Sequence, residues 1–388
     1  MINIYEPSLG KEEVAAVKDV FASNWLGYGR NGTKQDEFVK EFAKKIISEV
    51  HEYGCSYANS DHLTTISCCS EALFQAVHAF VKEGDEVIMP SISFVAAANA
   101  VVNINATPVF CDVDKHTLNP SVEDIEKCIT KKTKAVIVLH YAGVPCDIER
   151  IQQLCSQHNI KLIEDNASSP FSKVHARNTG TFGDIGLWSF DPMKIITTGD
   201  GGMIYCKNEN ILQQIKYRTY LGLKSSGSTN PVDQKWWEFD VESPGSKATM
   251  NDLSAAIGLE QLKKVDTFLT NRKLIHTVYD KGLGNLDWLD TPPEIASNVT
   301  SSYYMYYVQT KNADHRNRLA RYLRDRGVYT TFRYYPLHWV KYYNSSANLP
   351  NSEWIANHTL NLPLHQSLSQ KDVAHIIKAI NESKLAKY

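Results

Sequence analysis

The sequence predicts an α/β protein: a mostly parallel sheet covered on both faces, followed by a smaller α/β domain. Between residues 63 and 164, short apolar runs alternate with stretches of helical length, the pattern of strands buried on both sides by crossover helices. One run, Ala135 to His140 (A-V-I-V-L-H), is apolar at almost every position, as a strand buried on both faces is. Polar residues fall where these runs end, at Ser67 with Ser70, at His140, and at Glu164 with Asp165. That is the sheet edge at which such proteins bind ligands.

Taken in order, Lys11 to Trp25 predicts a helix with Val14, Val17, Val20 and Phe21 on one side. The loop W-L-G-Y-G-R-N-G-T follows, either a plain surface loop or one that closes over a site, with Tyr28 as its candidate residue, and then a helix from Glu37 to Ile47. Strands are expected at Leu63–Ile66, Val87–Met89, Thr107–Asp112, Ala135–His140 and Lys161–Glu164. Helices are expected at Ser70–Val81, Phe94–Val102, Ser121–Ile129 and Ile148–Gln157. After a helix over Asn210–Tyr220 comes a polar loop, and then a strong helix, Asn251–Val265, with Asn251 as its cap. The remainder alternates again: strand Tyr303–Val308, helix His315–Arg326, strand Val328–Thr331, helix Ser369–Ile380. The expected division is a large domain over 1–250 and a small one over 251–388.

Bulk properties exclude several functions. With 43% hydrophobic and 22% charged residues over 388 positions, the composition is that of a globular protein. The net charge of -2, without a basic block, argues against nucleic acid or anionic membrane as the main partner. The opening M-I-N-I-Y-E-P has neither basic nor apolar signal-peptide character. Val87 to Phe110 is apolar, but Pro90, Asn99, Asn103, Asn105 and Pro108 interrupt it, so no membrane span is expected. The 8 cysteines form no C-x-x-C pair, so neither a disulfide framework nor a metal site is expected, and free thiols point to the cytoplasm.

The segment Ser189 to Gly202 (S-F-D-P-M-K-I-I-T-T-G-D-G-G) places Lys194 on a constrained loop between two apolar runs. A lysine there is either a surface residue, the commoner case, or an amine that holds an aldehyde cofactor. Asp165, at a strand end, is a helix cap or a partner for a cofactor ring nitrogen. Ser67-Cys68-Cys69-Ser70 joins a strand to a helix, and is either an anion site of backbone N–H groups or an ordinary cap by Ser70. Ser189 is a further phosphate contact or a loop residue satisfying its own backbone. Phe94 is a core residue or a ring that stacks on a cofactor. Lys247, in P-G-S-K-A-T-M-N-D, is a surface charge by itself. Arg333 and His338, in T-T-F-R-Y-Y-P-L-H-W, suit an anionic or polyhydroxyl substrate, or belong to an aromatic-rich surface of the small domain.

These residues resemble the DegT/DnrJ/EryC1/StrS sugar aminotransferases. The matching motifs are E-D-N-A (164 to 167), G-T-F-G-D-I-G (180 to 186), S-F-D-P-M-K (189 to 194) and T-T-G-D-G-G (197 to 202). They continue with P-V-F-C-D-V-D (108 to 114), L-H-Y-A-G-V-P-C-D (139 to 147), N-D-L-S-A-A-I-G-L-E-Q-L (251 to 262), P-L-H (336 to 338) and L-P-L-H (362 to 365). Together they span nearly the whole chain in the right order.

The resemblance implies fold type I and pyridoxal 5′-phosphate as cofactor. Lys194 is then the internal-aldimine lysine and general acid/base, Asp165 the pyridinium partner, and Phe94 the stacking ring. Cys69, Ser70 and Ser189 become phosphate ligands, and Ser168 stands near the ring hydroxyl. The likeness also implies a cytoplasmic homodimer in which Lys247 reaches the other chain's phosphate. The reaction implied is amination of a nucleotide-linked keto sugar, a keto-deoxyhexose, with L-glutamate as donor. Departures from the family pattern are Cys69 where glycine is usual, Ser168 where a longer side chain is usual, Thr249 in the loop motif, and Asp200 for glutamate. A branch that carries out 3-dehydration has histidine at the lysine position, so Lys194 argues against it. The alternatives are a lyase or dehydratase on the same fold, and a non-catalytic sensor.

Overall fold

The computed structural model describes residues 1–27, 34–47, 60–225 and 237–383. Seven strands form one sheet, in the order Leu63–Ile66, Gly202–Cys206, Ile185–Ser189, Lys161–Asp165, Thr133–Leu139, Glu86–Pro90, Thr107–Cys111. Gly202–Cys206 is antiparallel to both neighbours, and every other adjacent pair is parallel. A parallel neighbour needs a crossover, normally helical. The connection over residues 190–201 carries no helix, so the chain turns back and its strand runs the other way. Lys194 rides on that reversal.

Ile163, Ile185, Leu187 and Ile204 pack with the helix Cys69–Phe80 in one apolar cluster, while Val136, Val138 and Leu162 pack with Ile148, Ile151 and Leu154 in another. A second sheet sets Tyr306–Thr310 between Leu289–Asp290 and Thr359–Leu362, all antiparallel. It packs with the helices Ala313–Arg324 and Gln370–Glu382 around Tyr279, Leu319, Leu323 and Ile376.

Three differences from the sequence expectations stand out. The helix expected to end at Val265 runs over Asp252–Leu283, 32 residues, although Asn251 caps it as expected, accepting from the Ser254 N–H at 2.9 Å. Its first half belongs to the core of the large sheet through Ala255, Leu259 and Val265. Its second half belongs to the other core through Ile275, Tyr279 and Leu283. Val328–Thr331 forms no strand: Val328 and Thr331 each make a single bridge, to Ile2 and to Asn361. Pro350–His358 is a helix that polar spacing hid, with proline in its first turn where the missing N–H costs nothing. No helix among the described residues is long and apolar enough to cross a membrane.

Candidate active site

A cavity opens at the carboxyl ends of the parallel strands, the position the topology favours. Cys69, Ser70, Phe94, Asp165, Ser189, Lys194 and Arg333 all line it. The sheet delivers three of them directly. Asp165 and Ser189 are the last residues of adjacent parallel strands. Phe94 caps the helix Val95–Val102 after the strand Glu86–Pro90.

Side chains on a strand alternate in direction, and Glu164 and Asp165 divide their work accordingly. Glu164 is fully buried. It accepts from the Gly180 N–H at 2.8 Å, the Gly183 N–H at 2.6 Å and His140 Nε2 at 3.2 Å. His140 Nδ1 accepts the Cys146 N–H at 3.2 Å, which leaves Nε2 to donate. Glu164 thereby holds the G-T-F-G-D-I-G segment, where Gly180 has φ +88° and a Cβ on Gly186 would strike the Gly180 carbonyl. Removing this carboxylate strands several buried donors. Glu164→Ala is expected to cost about 3–5 kcal/mol, read as a fall in the denaturant midpoint.

Asp165 faces the cavity. Burial pushes its carboxyl above the usual carboxylate range, while the Ala167 N–H and the Lys194 charge pull it back. Ala167 donates to Oδ1 at 2.9 Å.

The lysine loop is fixed by its own bonds. Lys194 N–H donates to the Asp191 carbonyl at 2.9 Å, Met193 N–H to Asp191 Oδ1 at 2.9 Å, and Thr198 N–H to the Phe190 carbonyl at 2.9 Å. Ile195 and Ile196 anchor it in the core. The Lys194 amine donates to the Tyr304 hydroxyl at 3.4 Å. Burial pulls the amine's pKa down, but Tyr304, Tyr334, Asp165 and Cys69 outweigh it and leave it above that of an ordinary lysine.

On the other wall the helix Cys69–Phe80 begins, with Cys68 Sγ accepting the Glu71 N–H at 3.5 Å. Burial pushes the Cys69 thiol well up, so it stays protonated and poorly nucleophilic.

Pyridoxal phosphate fits these residues. The Lys194 amine suits its aldehyde, and Asp165 suits a protonated ring nitrogen. The Phe94 ring is 49% exposed, with Tyr334 5.8 Å away, and has room to stack on a cofactor ring. The helix N-terminus at Cys69 and Ser70, with Ser189 opposite, suits a phosphate dianion. The Ser168 hydroxyl is buried beside Tyr334, and Ser168 is not among the residues that line the cavity.

Other predicted residues lie elsewhere. His338 does not line the cavity. It is buried, with Nδ1 2.6 Å from Ser91 Oγ and Nε2 3.5 Å from Glu353 Oε1. Ser91 therefore takes its Nδ1. Lys247 is exposed, with its amine 5.7 Å from the Tyr220 ring, and is absent from the lining of its own chain's cavity. Its neighbour Ala248 accepts the Ser67 N–H at 2.7 Å, so the segment runs beside the phosphate turn. Tyr28 lies outside the described residues.

Tyr334 lines the cavity and Tyr304 meets the Lys194 amine; in the sequence only the Y-Y-M-Y-Y run and the F-R-Y-Y-P stretch point to them. Arg333 crosses the Tyr5 ring at 4.7 Å and donates to Met193 Sδ at 3.2 Å. Among the described residues it has no carboxylate within ion-pair distance, which leaves its charge available to an anion.

The sequence pattern of the DegT/DnrJ/EryC1/StrS aminotransferase family matches residues 7–381. A dTDP-4-dehydro-2,3,6-trideoxy-D-glucose 4-aminotransferase from Saccharopolyspora spinosa is 40% identical over 376 residues, 96% of this chain and 94% of its own. GDP-perosamine synthase from Escherichia coli O157:H7 is 33% identical over 383 residues, 98% of each chain. Among solved structures, the aminotransferase TlmJ from Streptoalloteichus hindustanus is 42% identical and superposes with a TM-score of 0.91 over 99% of this chain and 98% of that one.

Proposed function

Because the chain belongs to the DegT/DnrJ/EryC1/StrS aminotransferase family and is a pyridoxal phosphate-dependent aminotransferase of fold type I, we propose that it aminates a nucleotide-linked 4-keto-deoxyhexose, with L-glutamate as donor. The observation that carries this reading is the convergence of Lys194, Asp165, Ser189 and the Cys69–Ser70 helix start on one cavity. The choice of C4 rests on the name of the 40% identical relative.

When bound, pyridoxal phosphate supplies an electron sink that stabilises a carbanion at the carbon losing its proton. Lys194 holds the cofactor and then carries that proton on Nζ. The loop bonds and the Tyr304 hydroxyl hold the amine in the cavity, where it would stay within reach of the proton it carries. Asp165 holds the proton on the ring nitrogen. Ser189, Ser70 and the helix N-terminus fix the phosphate, and Phe94 covers a ring face. Arg333 receives a donor carboxylate. We assign the working form to a homodimer in the cytoplasm, where the exposed Lys247 serves the neighbouring copy's phosphate.

Arg333→Gln is expected to raise the KM for glutamate about 10- to 100-fold, the worth of a hydrogen bond to a charged group, with the keto-sugar KM changed far less. Initial rates with each substrate varied in turn check this, and a rise confined to the keto sugar would reverse the assignment. The substrate reading is tested with a panel of nucleotide-linked 3-keto and 4-keto sugars, with the product's amine position read by NMR. Turnover of a 4-keto deoxyhexose to the 4-amine supports it, and no amine from any panel member overturns it.

A further inference from the structure

We propose that Tyr304 is a positioning residue for the Lys194 amine, held by a buried Arg272–Gln366 clamp that joins the two backbone segments carrying the pair. The proposal rests on the reading of Lys194 as the reacting amine.

The contact itself is direct. Lys194 Nζ donates to Tyr304 Oη at 3.4 Å and lies 5.0 Å from the ring centroid. Among the described residues no other hydrogen bond of Nζ is present. Tyr304 is fully buried, and Tyr5 stacks on it at 5.4 Å with 15° between the planes. A ring packed in this way cannot follow a moving amine, so the amine is set by the ring.

The clamp lies behind Tyr304. Arg272, on the long helix, is 1% exposed, and among the described residues no carboxylate lies within ion-pair distance. Its Nη1 donates to the carbonyls of Tyr303 at 3.2 Å, Tyr304 at 3.1 Å and Leu364 at 3.3 Å. Its Nε and Nη2 donate to Gln366 Oε1 at 3.1 and 2.9 Å. Gln366 Nε2 in turn donates to the carbonyl of Ile195, the residue after Lys194, at 3.4 Å. The guanidinium therefore grips Tyr304 on one side and, through the glutamine, the lysine loop on the other. A buried cation without an anion is a costly way to build a core. Here its donors go to the Tyr303, Tyr304 and Leu364 carbonyls and to Gln366, which ties the Tyr304 segment to the lysine loop.

The other titratable groups facing Lys194 are Asp165 on its strand, Cys69 on its helix, and Tyr334 beside Arg333. The Tyr304 hydroxyl oxygen accepts from the Lys194 ammonium at 3.4 Å, so losing the hydroxyl removes a hydrogen bond that favours the protonated amine and leaves the amine free to swing.

The test uses Tyr304→Phe, which keeps the ring and its stack. Its kcat is expected to fall about 100-fold in both half-reactions, the usual result of misplacing a reacting group, with both KM values little changed. A second readout needs no substrate. In the cofactor-free protein, acetic anhydride labelling of Lys194 at fixed mildly alkaline pH, followed by peptide mass spectrometry, is expected to be about threefold faster or more. Gln366→Leu, which breaks the clamp outside the cavity, should move both readouts the same way, and it carries the test if Tyr304→Phe does not fold. An unmoved labelling rate or an unmoved kcat overturns the proposal. The labelling is read without sugar or glutamate, so its result stands apart from the substrate assignment.

Discussion

Lys194→Ala is expected to lose turnover by about 10⁴-fold or more, since it removes the covalent anchor and the proton carrier together. The absorbance band of the lysine-bound cofactor should vanish in the same variant. The protein should still fold, because the loop does not depend on the amine. The Lys194 N–H bond to Asp191, the Met193 N–H bond to Asp191 Oδ1, and the buried Ile195 and Ile196 all survive the substitution. A dichroism spectrum like that of the wild type, beside a bare cofactor spectrum, is the expected pair of observations. A variant that keeps the band places the anchor on another lysine.

Asp165→Asn is expected to lower kcat about 10²- to 10³-fold, the scale seen when a preorganised charge at a reacting centre is removed. The amide has the carboxylate's size and can still accept from the Ala167 N–H, which lies at 2.9 Å. The change is therefore in charge rather than shape. The variant should still bind cofactor through Lys194 and the phosphate contacts, so loading, read by absorbance, separates it from a folding defect. Activity within a few-fold of wild type would mean that the ring nitrogen needs no anionic partner here.

Lys194, Asp165, Ser189 and Phe94 were legible in the sequence for a common reason. Each stands at or just after the carboxyl end of a strand, or on the loop that reverses the sheet. The order of the apolar runs therefore fixes the edge they share. Tyr304, Tyr334 and Arg272 were not legible in that way. They reach the site through packing of the long helix, the second sheet and the segment before the Pro336 turn, and no local spacing encodes that packing. His338 is the converse case, since it does not line the cavity. The P-L-H motif marked a histidine near the right place, but only the fold reveals that Ser91 takes its Nδ1. The length of the helix Asp252–Leu283 was hidden because its apolar positions serve two cores in succession, so a window of one or two turns sees only the first.

The most direct measurement is a pair of single half-reactions followed by absorbance. L-glutamate is added to the wild-type enzyme without acceptor, and a nucleotide-linked 4-keto deoxyhexose is then added after the glutamate is removed. Expected is loss of the lysine-bound band with one equivalent of 2-oxoglutarate per site, followed by its return with one equivalent of amino sugar. A band that glutamate leaves unchanged, or that the keto sugar does not restore, would contradict transamination between these two substrates.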